Sequence, residues 1–340
     1  METLRLIYKK VRGSIFLKNK YLNILLKGLI VMGFAYALYN KITKEEDLDV
    51  MVEHIYGFLN FPNLLYLVAT GLLIPFMWWA ESFRWLILVR RIVDPSKATL
   101  RKSFKAMISG HAIGIFVHNR IGKIGGRIIA YESSKKAELL IVNYFDAEAI
   151  KLLLDIYGFV GAMYVLHIFL GWQLQTVWIL GVVIMAILVL RIYIFYNIKK
   201  GIDFFSRFKI RESIINRVRL LEKYSVKELR LIMQATGFRV LMNYLQYYLL
   251  MRFFHIEVPL FEALILISAI YFIVSNFPLP SIAGMLVRIN LAVFIWSHYT
   301  DNIISISCIP LTLWFFNSLI PTLIGTYILV NTNLAKNISS

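Results

Sequence analysis

Long apolar runs separated by short polar connections set the pattern of this chain. A membrane-crossing helix needs about 20 mostly apolar residues. Stretches of that kind fall at 21–39, 63–89, 145–170, 174–197, 231–254 and 303–330. Two further apolar stretches are interrupted. The first, 104–116, runs into a glycine-rich, cationic segment that ends at Arg127. The second, 259–276, is broken by Pro278, Pro280, Ser281 and Gly284 before an apolar run resumes at 285–299. Basic residues flank the first broken segment on both sides, so a hairpin entering and leaving on one face fits it. The second reads as its counterpart from the opposite face. Non-helical backbone at membrane depth survives only where it is buried in protein or lines a wet cavity. The breaks at 117–127 and 277–284 are therefore expected to be non-helical and to meet inside the protein. The pattern predicts an all-α polytopic membrane protein of about six full transmembrane helices plus two re-entrant, broken helical hairpins. All of it belongs to a single integral membrane domain over 1–340.

Composition agrees with the pattern. Of 340 residues 59% are hydrophobic, and the mean hydropathy is +0.67. Soluble domains are about 45–50% apolar even with glycine counted. A net charge of +17 would suit nucleic acid, but its placement points elsewhere. Cations gather in alternate connections: residues 1–20, then Arg90, Arg91, Lys97, Arg101, Lys102 and Lys105, then 199–230. Acidic residues take the opposite connections: Glu45, Glu46, Asp47, Asp49 and Glu53 early, Glu257 and Glu262 late. This is the positive-inside pattern. It places 1–20, the amphipathic segment 199–230 and the C-terminus in the cytoplasm, and 41–60 outside, part of it as an interfacial helix. The expected location is the plasma (inner) membrane, with anionic lipids facing the basic loops. The first apolar run follows a long basic lead and lacks a small-residue cleavage site, so it reads as an uncleaved span. Cys308 is the single cysteine and forbids an internal disulfide.

Enzyme constellations are absent from the sequence. The positions five residues after His111 and His118 hold Phe116 and Lys123, so neither histidine begins an acyltransferase pair. There is no Gly-x-Ser-x-Gly elbow, no acidic cluster for Mg²⁺ and no His-Glu-x-x-His motif. No catalytic residue, metal site or cofactor is expected. The strongest candidate is an anion site around the first break. Asn119, Arg120, Lys123 and Arg127 would supply donors, and Gly122, Gly125 and Gly126 would let backbone N–H groups approach. The alternative is a set of ordinary topogenic charges. Arg288 follows the second break within an apolar run. It is a second candidate cation, or else a residue snorkelling to the interface. Supporting roles fall to His111 before the first break and to Pro278, Pro280 and Ser281 at the second. Glu81 and Arg84 are three residues apart and could neutralise each other along one helix. Arg239 with Asn243, and Lys151 with Asp155, invite the same reading.

These residues resemble a known family. The aromatic, arginine-containing run from Trp78 to Trp85 is one element. A second is the series Gly110, His111, Gly114, Asn119, Arg120, Gly122, Gly126 and Arg127, and a third runs from Pro278 to Arg288. Together they resemble the flippase-like integral membrane family, also called the lysylphosphatidylglycerol synthase transmembrane region, over about residues 20–330. The chain departs from that pattern in three places. Val117 and His118 stand where a Thr-Pro pair is usual, and Lys123 stands where an acidic residue is usual. Met285, Leu286 and Val287 replace a carboxylate and glycine. Fewer acidic partners leave Arg120, Arg127 and Arg288 less neutralised, which favours an anionic ligand or else marks a divergent member whose original activity has drifted. The family's bifunctional proteins carry a soluble aminoacyl-transferase domain after the membrane part, and these 340 residues contain none.

The resemblance therefore implies non-covalent transbilayer movement of an anionic lipid or lipid-linked precursor. The rival is a non-transporting accessory subunit of an envelope lipid or polysaccharide pathway. Expected partners are anionic membrane lipids and no nucleic acid, with a homo-oligomer or an envelope-biosynthesis enzyme as a further partner. The charge asymmetry yields a direct test of topology. In a Cys308→Ser background, Ile215→Cys should resist an impermeant thiol reagent in intact cells and react after lysis. Labelling without lysis would refute the orientation.

Overall fold

The computed structural model describes residues 57–58, 60–116, 124–128, 131, 135–207, 212–276 and 281–331. The chain divides into two units, 1–59 and 60–340, and the architecture below belongs to the second. Among the described residues every regular element is a helix.

Local signals set where these helices begin. Helix α1, Phe61–Val89, starts where the Asn60 side chain accepts from the Asn63 N–H and a proline occupies the first turn. Pro75 lies inside it and removes one backbone donor. Helix α2 spans Leu100–Phe116, and a short α3 covers 124–128. Helix α4, Lys136–Ile168, is 33 residues long and turns at Gly171 (φ +66°) into α5, Leu174–Tyr196. The basic segment forms α6 (Ile198–Ser206), α7 (Glu212–Val218) and a 3₁₀ turn, Arg219–Lys223. Ser225 and Glu228 then form a reciprocal capping box that opens α8, Val226–Phe253. Helices α9 (Leu260–Asn276) and α10 (Ser281–Trp296) follow. The last run is α11 (Ile303–Trp314), a π-helical segment (Phe315–Leu319) and α12 (Ile320–Asn331).

Among the described residues, four helices are long and apolar enough to cross a membrane: α1, α4, α5 and the continuous run Ile303–Ile328. Helices α9 and α10 are shorter apolar helices. The chain is thus a helical, membrane-embedded protein. The stretch expected as a span at 231–254 is helical in α8, whose 28 residues are long enough for one, but α8 is not among the helices apolar enough to cross a membrane. The expected span at 21–39 and nearly all of 41–60 lie outside the described residues.

The two expected breaks are narrower than predicted. Residues 124–127 are helical within α3, and 281–284 form the first turn of α10. The remainder, 117–123 and 277–280, lies outside the described residues. Gly125 and Gly126 accordingly sit in a helical turn rather than in an unwound loop. The physical reason is a close approach: a side chain on Gly126 would collide with the Ser109 and Gly110 backbone of α2. Glycine there serves contact between helices.

Packing pairs α8 with α1, α9 with α4, and α12 with α2. Helix α4 contributes to the buried core through Leu139, Val142, Ala149 and Leu152, whereas α5 turns Trp178, Ile179, Val182 and Val183 outward. In a membrane protein that outward apolar face is the lipid-facing surface. The α4–α9 contact depends on Gly161, where a side chain would meet the Ile265 carbonyl. Gly161→Val should therefore force the two helices apart and lower the melting temperature in detergent, at a cost of about 1–3 kcal/mol. An unchanged melting temperature would show that the contact is not tight.

A buried ion network beside a charged cavity

Helical spacing brings the site together. On α1, Glu81, Arg84 and Trp85 share one face at i, i+3 and i+4. On α4, Asn143, Asp146, Ala147, Ile150, Lys151 and Leu154 repeat at the same spacing and wall one cavity. These two stripes face each other, with α3 and α8 completing the enclosure.

The centre is Asp146, which is 1% exposed. Arg84, fully buried on α1, donates from Nε to Asp146 Oδ1 at 2.5 Å and from Nη1 to Thr236 Oγ1 of α8 at 3.3 Å. Arg127 of α3 donates from Nη1 to Asp146 Oδ2 at 2.7 Å and to Asn143 Oδ1 at 3.0 Å. Its Nη2 reaches Glu81 Oε1 at 2.5 Å, and its guanidinium lies 4.9 Å from the centre of the Trp85 ring. The second oxygen of Glu81 faces Arg239 Nε of α8 at 3.1 Å and His111 Nε2 of α2 at 3.6 Å. Five helices thus converge on two carboxylates.

A second cluster lies further along α4. Arg191 of α5 spans Glu148 at 2.5 Å and Asp155 at 2.5 Å. Asp155 also accepts from Asn276 Nδ2 of α9 at 3.1 Å. Between the clusters opens a cavity of ≈ 280 Å³, lined by Glu81, Arg127, Asp146, Glu148, Lys151, Arg239 and Ser275 among others. Lys151 has no ion-pair partner among the described residues. Counting both clusters and the cavity wall, Arg84, Arg127, Lys151, Arg191 and Arg239 stand against Glu81, Asp146, Glu148 and Asp155. With His111 neutral, one positive charge is left over.

The structure brings Glu81, Arg84, His111, Arg127 and Arg239 together, as a set. It corrects the expected pairings. Glu81 and Arg84 do not neutralise each other: each is directed to a different helix, Glu81 to α3 and α8, Arg84 to α4. Asp155 pairs with Arg191 rather than Lys151. Asn243 accepts from Asn317 of the π-helical segment at 3.3 Å, while its sequence neighbour Arg239 goes to Glu81. Arg288 lies apart from this network, over the Tyr271 ring at 5.6 Å. Ser281 begins α10. Asn119, Arg120, Gly122, Lys123, Pro278 and Pro280 lie outside the described residues. Sequence reasoning missed Asp146, although a carboxylate inside an apolar run is a signal in itself. It also missed Lys151 as the unpaired cation, because Asp155 one turn away looked like its partner.

Among the described residues no group of histidine, cysteine, aspartate and glutamate side chains could hold a metal ion. Compared with known families and curated proteins, the chain matches no family model and no curated sequence.

Removing one partner from a buried ion pair costs about 3–5 kcal/mol, because the other charge is left uncompensated. Asp146→Asn should therefore lower the melting temperature in detergent sharply. Arg84→Met combined with Asp146→Leu should cost less than Asp146→Asn alone, since no orphan charge from that pair remains. Equal losses would mean that the network is not the source of the stability.

Proposed function

We propose that this protein binds the phosphate-bearing head group of an anionic lipid or lipid-linked precursor and moves it between leaflets without covalent chemistry. The observation that carries this reading is the cavity at the edge of the ion network, walled by Arg239 and by Lys151, which no carboxylate holds among the described residues. A charge held at membrane depth is costly unless it meets a counter-charge. An anionic head group supplied from the bilayer would remove that cost. Arginine offers a planar donor fork matched to two phosphate oxygens, and lysine adds a point charge. Ile124, Ile150 and Leu154 also line the cavity and suit the apolar part of an amphiphile.

The resemblance to the flippase-like family supports the same reading. In it the basic connections face the cytoplasm. Helices α2 and α10 belong to re-entrant hairpins, and the site lies near the midplane where transporter sites form. Arg127 then acts as the fixed floor of the site, because Glu81, Asn143 and Asp146 already hold it. The ligand's contacts are Lys151 and the cavity side of Arg239.

Binding of dihexanoyl phosphatidylglycerol to the purified protein tests this. Loss of a charge-assisted hydrogen bond, worth about 1.5–3 kcal/mol, predicts that Lys151→Ala weakens binding about tenfold or more. The melting temperature should hold, because Lys151 supports no ion pair among the described residues. Arg239→Lys should weaken binding less than Arg239→Gln. Inorganic phosphate serves as the competing arm: if it binds as well as the lipid, the site takes a soluble anion. Parental affinity in both Lys151→Ala and Arg239→Gln would overturn the proposal.

A further inference from the structure

Tyr271 of α9 lies near two cations. Both Arg239 and Arg288 are within electrostatic reach of it. Arg288 is half-buried, has its guanidinium 5.6 Å from the centre of the Tyr271 ring, and pairs with no carboxylate among the described residues. Its Nε is buried without a hydrogen-bond partner, and so are the Tyr244 hydroxyl and Asn317 Oδ1. Tyr244 lies 5.3 Å from Tyr271 ring to ring, and Asn317 donates to Asn243 one turn beyond Arg239. Buried polar groups normally find partners. These unsatisfied groups leave two donors and an acceptor around one ring free to meet a polar ligand.

Helix α8 supplies the scale. Tyr244 and Tyr247 both contact the Tyr271 ring, and they lie five and eight residues beyond Arg239. At 1.5 Å per residue these contacts lie ~8–12 Å further along α8 than Arg239, and the Arg288 guanidinium is 5.6 Å from the same ring. We infer that Arg288 is a second station for the same lipid phosphate, and that the head group passes to it from Lys151 and Arg239 along the edge of Tyr271. The inference rests on the proposed reading of the cavity. One deep cation site would hold an anion without releasing it. Two weaker sites a short step apart allow it to leave, as multi-site conduction requires.

Two measurements on the full chain separate the stations. The first is the dissociation constant for dihexanoyl phosphatidylglycerol in detergent. The second is the rate at which fluorescent phosphatidylglycerol, present as a trace in phosphatidylcholine vesicles, crosses the bilayer in the presence of the reconstituted protein. For Arg288→Gln the rate should fall by about tenfold or more while the dissociation constant stays within about threefold of the parent. Arg288→Lys keeps the charge but not the fork, and should slow transfer by about threefold or more. It decides the matter if Arg288→Gln does not fold. A parental rate in whichever variant folds overturns the second station. So does a dissociation constant that rises in step with the loss of rate, which would make Arg288 part of the first site. If the parent binds phosphatidylglycerol but does not move it, the two-station passage fails and the binding site stands. If the parent does not bind it, the reading of the cavity fails, and the second station with it.

Discussion

The rest of the structure depends on Asp146, a carboxylate held between two arginines in the interior of a membrane protein. Taking an isolated charge out of water costs several kcal/mol even after relaxation. Asp146 is tolerable only because Arg84 and Arg127 approach it from opposite sides, 2.5 and 2.7 Å away. That requirement fixes more than one pair. Arg84 comes from α1 and is also bonded to Thr236 of α8, while Arg127 comes from α3 and also holds Glu81. Helix α3 can lie this close because Gly126 sits against the backbone of α2. Small residues at helix contacts and polar residues between helices are how membrane bundles hold together without a hydrophobic driving force.

Compensation within the network is uneven. Arg84 and Arg127 are buried and ion-paired with carboxylates on other helices, so they act as fixed structure. Arg239 and Lys151 stand at the cavity, and Lys151 has no ion-pair partner among the described residues. The sequence pointed to Arg127 as a ligand-binding cation, and the geometry gives it internal partners instead. The residues able to meet an outside anion are its neighbours on α4 and α8.

The helices were legible in the sequence because their signal is local. The apolar run expected at 174–197 forms Leu174–Tyr196, and the run expected at 231–254 overlaps Val226–Phe253 to within one residue at its end. The proline break before Ser281 likewise precedes a new helix. The pairings were not legible, because sequence neighbours three or four apart share a helix face yet can each point to a different partner. Glu81 with Arg84 and Lys151 with Asp155 both have ideal spacing for self-neutralisation. Tertiary contacts with Arg127, Asp146 and Arg191 override it. The stripe on α4 from Asn143 to Leu154 could have been found as polar residues at helical spacing within an apolar run. Its partners on α3 and α8 could not, since no local pattern records which helix lies opposite.

In the proposed reading, the imbalance of charge is what would separate a carrier from a strut in this arrangement. A purely structural ion network gains most by closing every charge against another, because any remainder raises the desolvation cost. Around Asp155 the chain gives every charge a contact: Arg191 bridges Glu148 and Asp155, and Asn276 donates to Asp155, on three helices. Around the cavity it does not, since Lys151 lies on the same wall as Glu148 and yet no carboxylate holds it among the described residues. Arg288 repeats the feature beyond Tyr271, where an aromatic face offers a weak partner in place of a carboxylate. Rigid pairs at the centre with open cations at the edge are what a mobile anion requires. In the proposed reading the fixed pairs hold the helices in place, so that an anion would arrive and leave without taking a structural counter-ion with it.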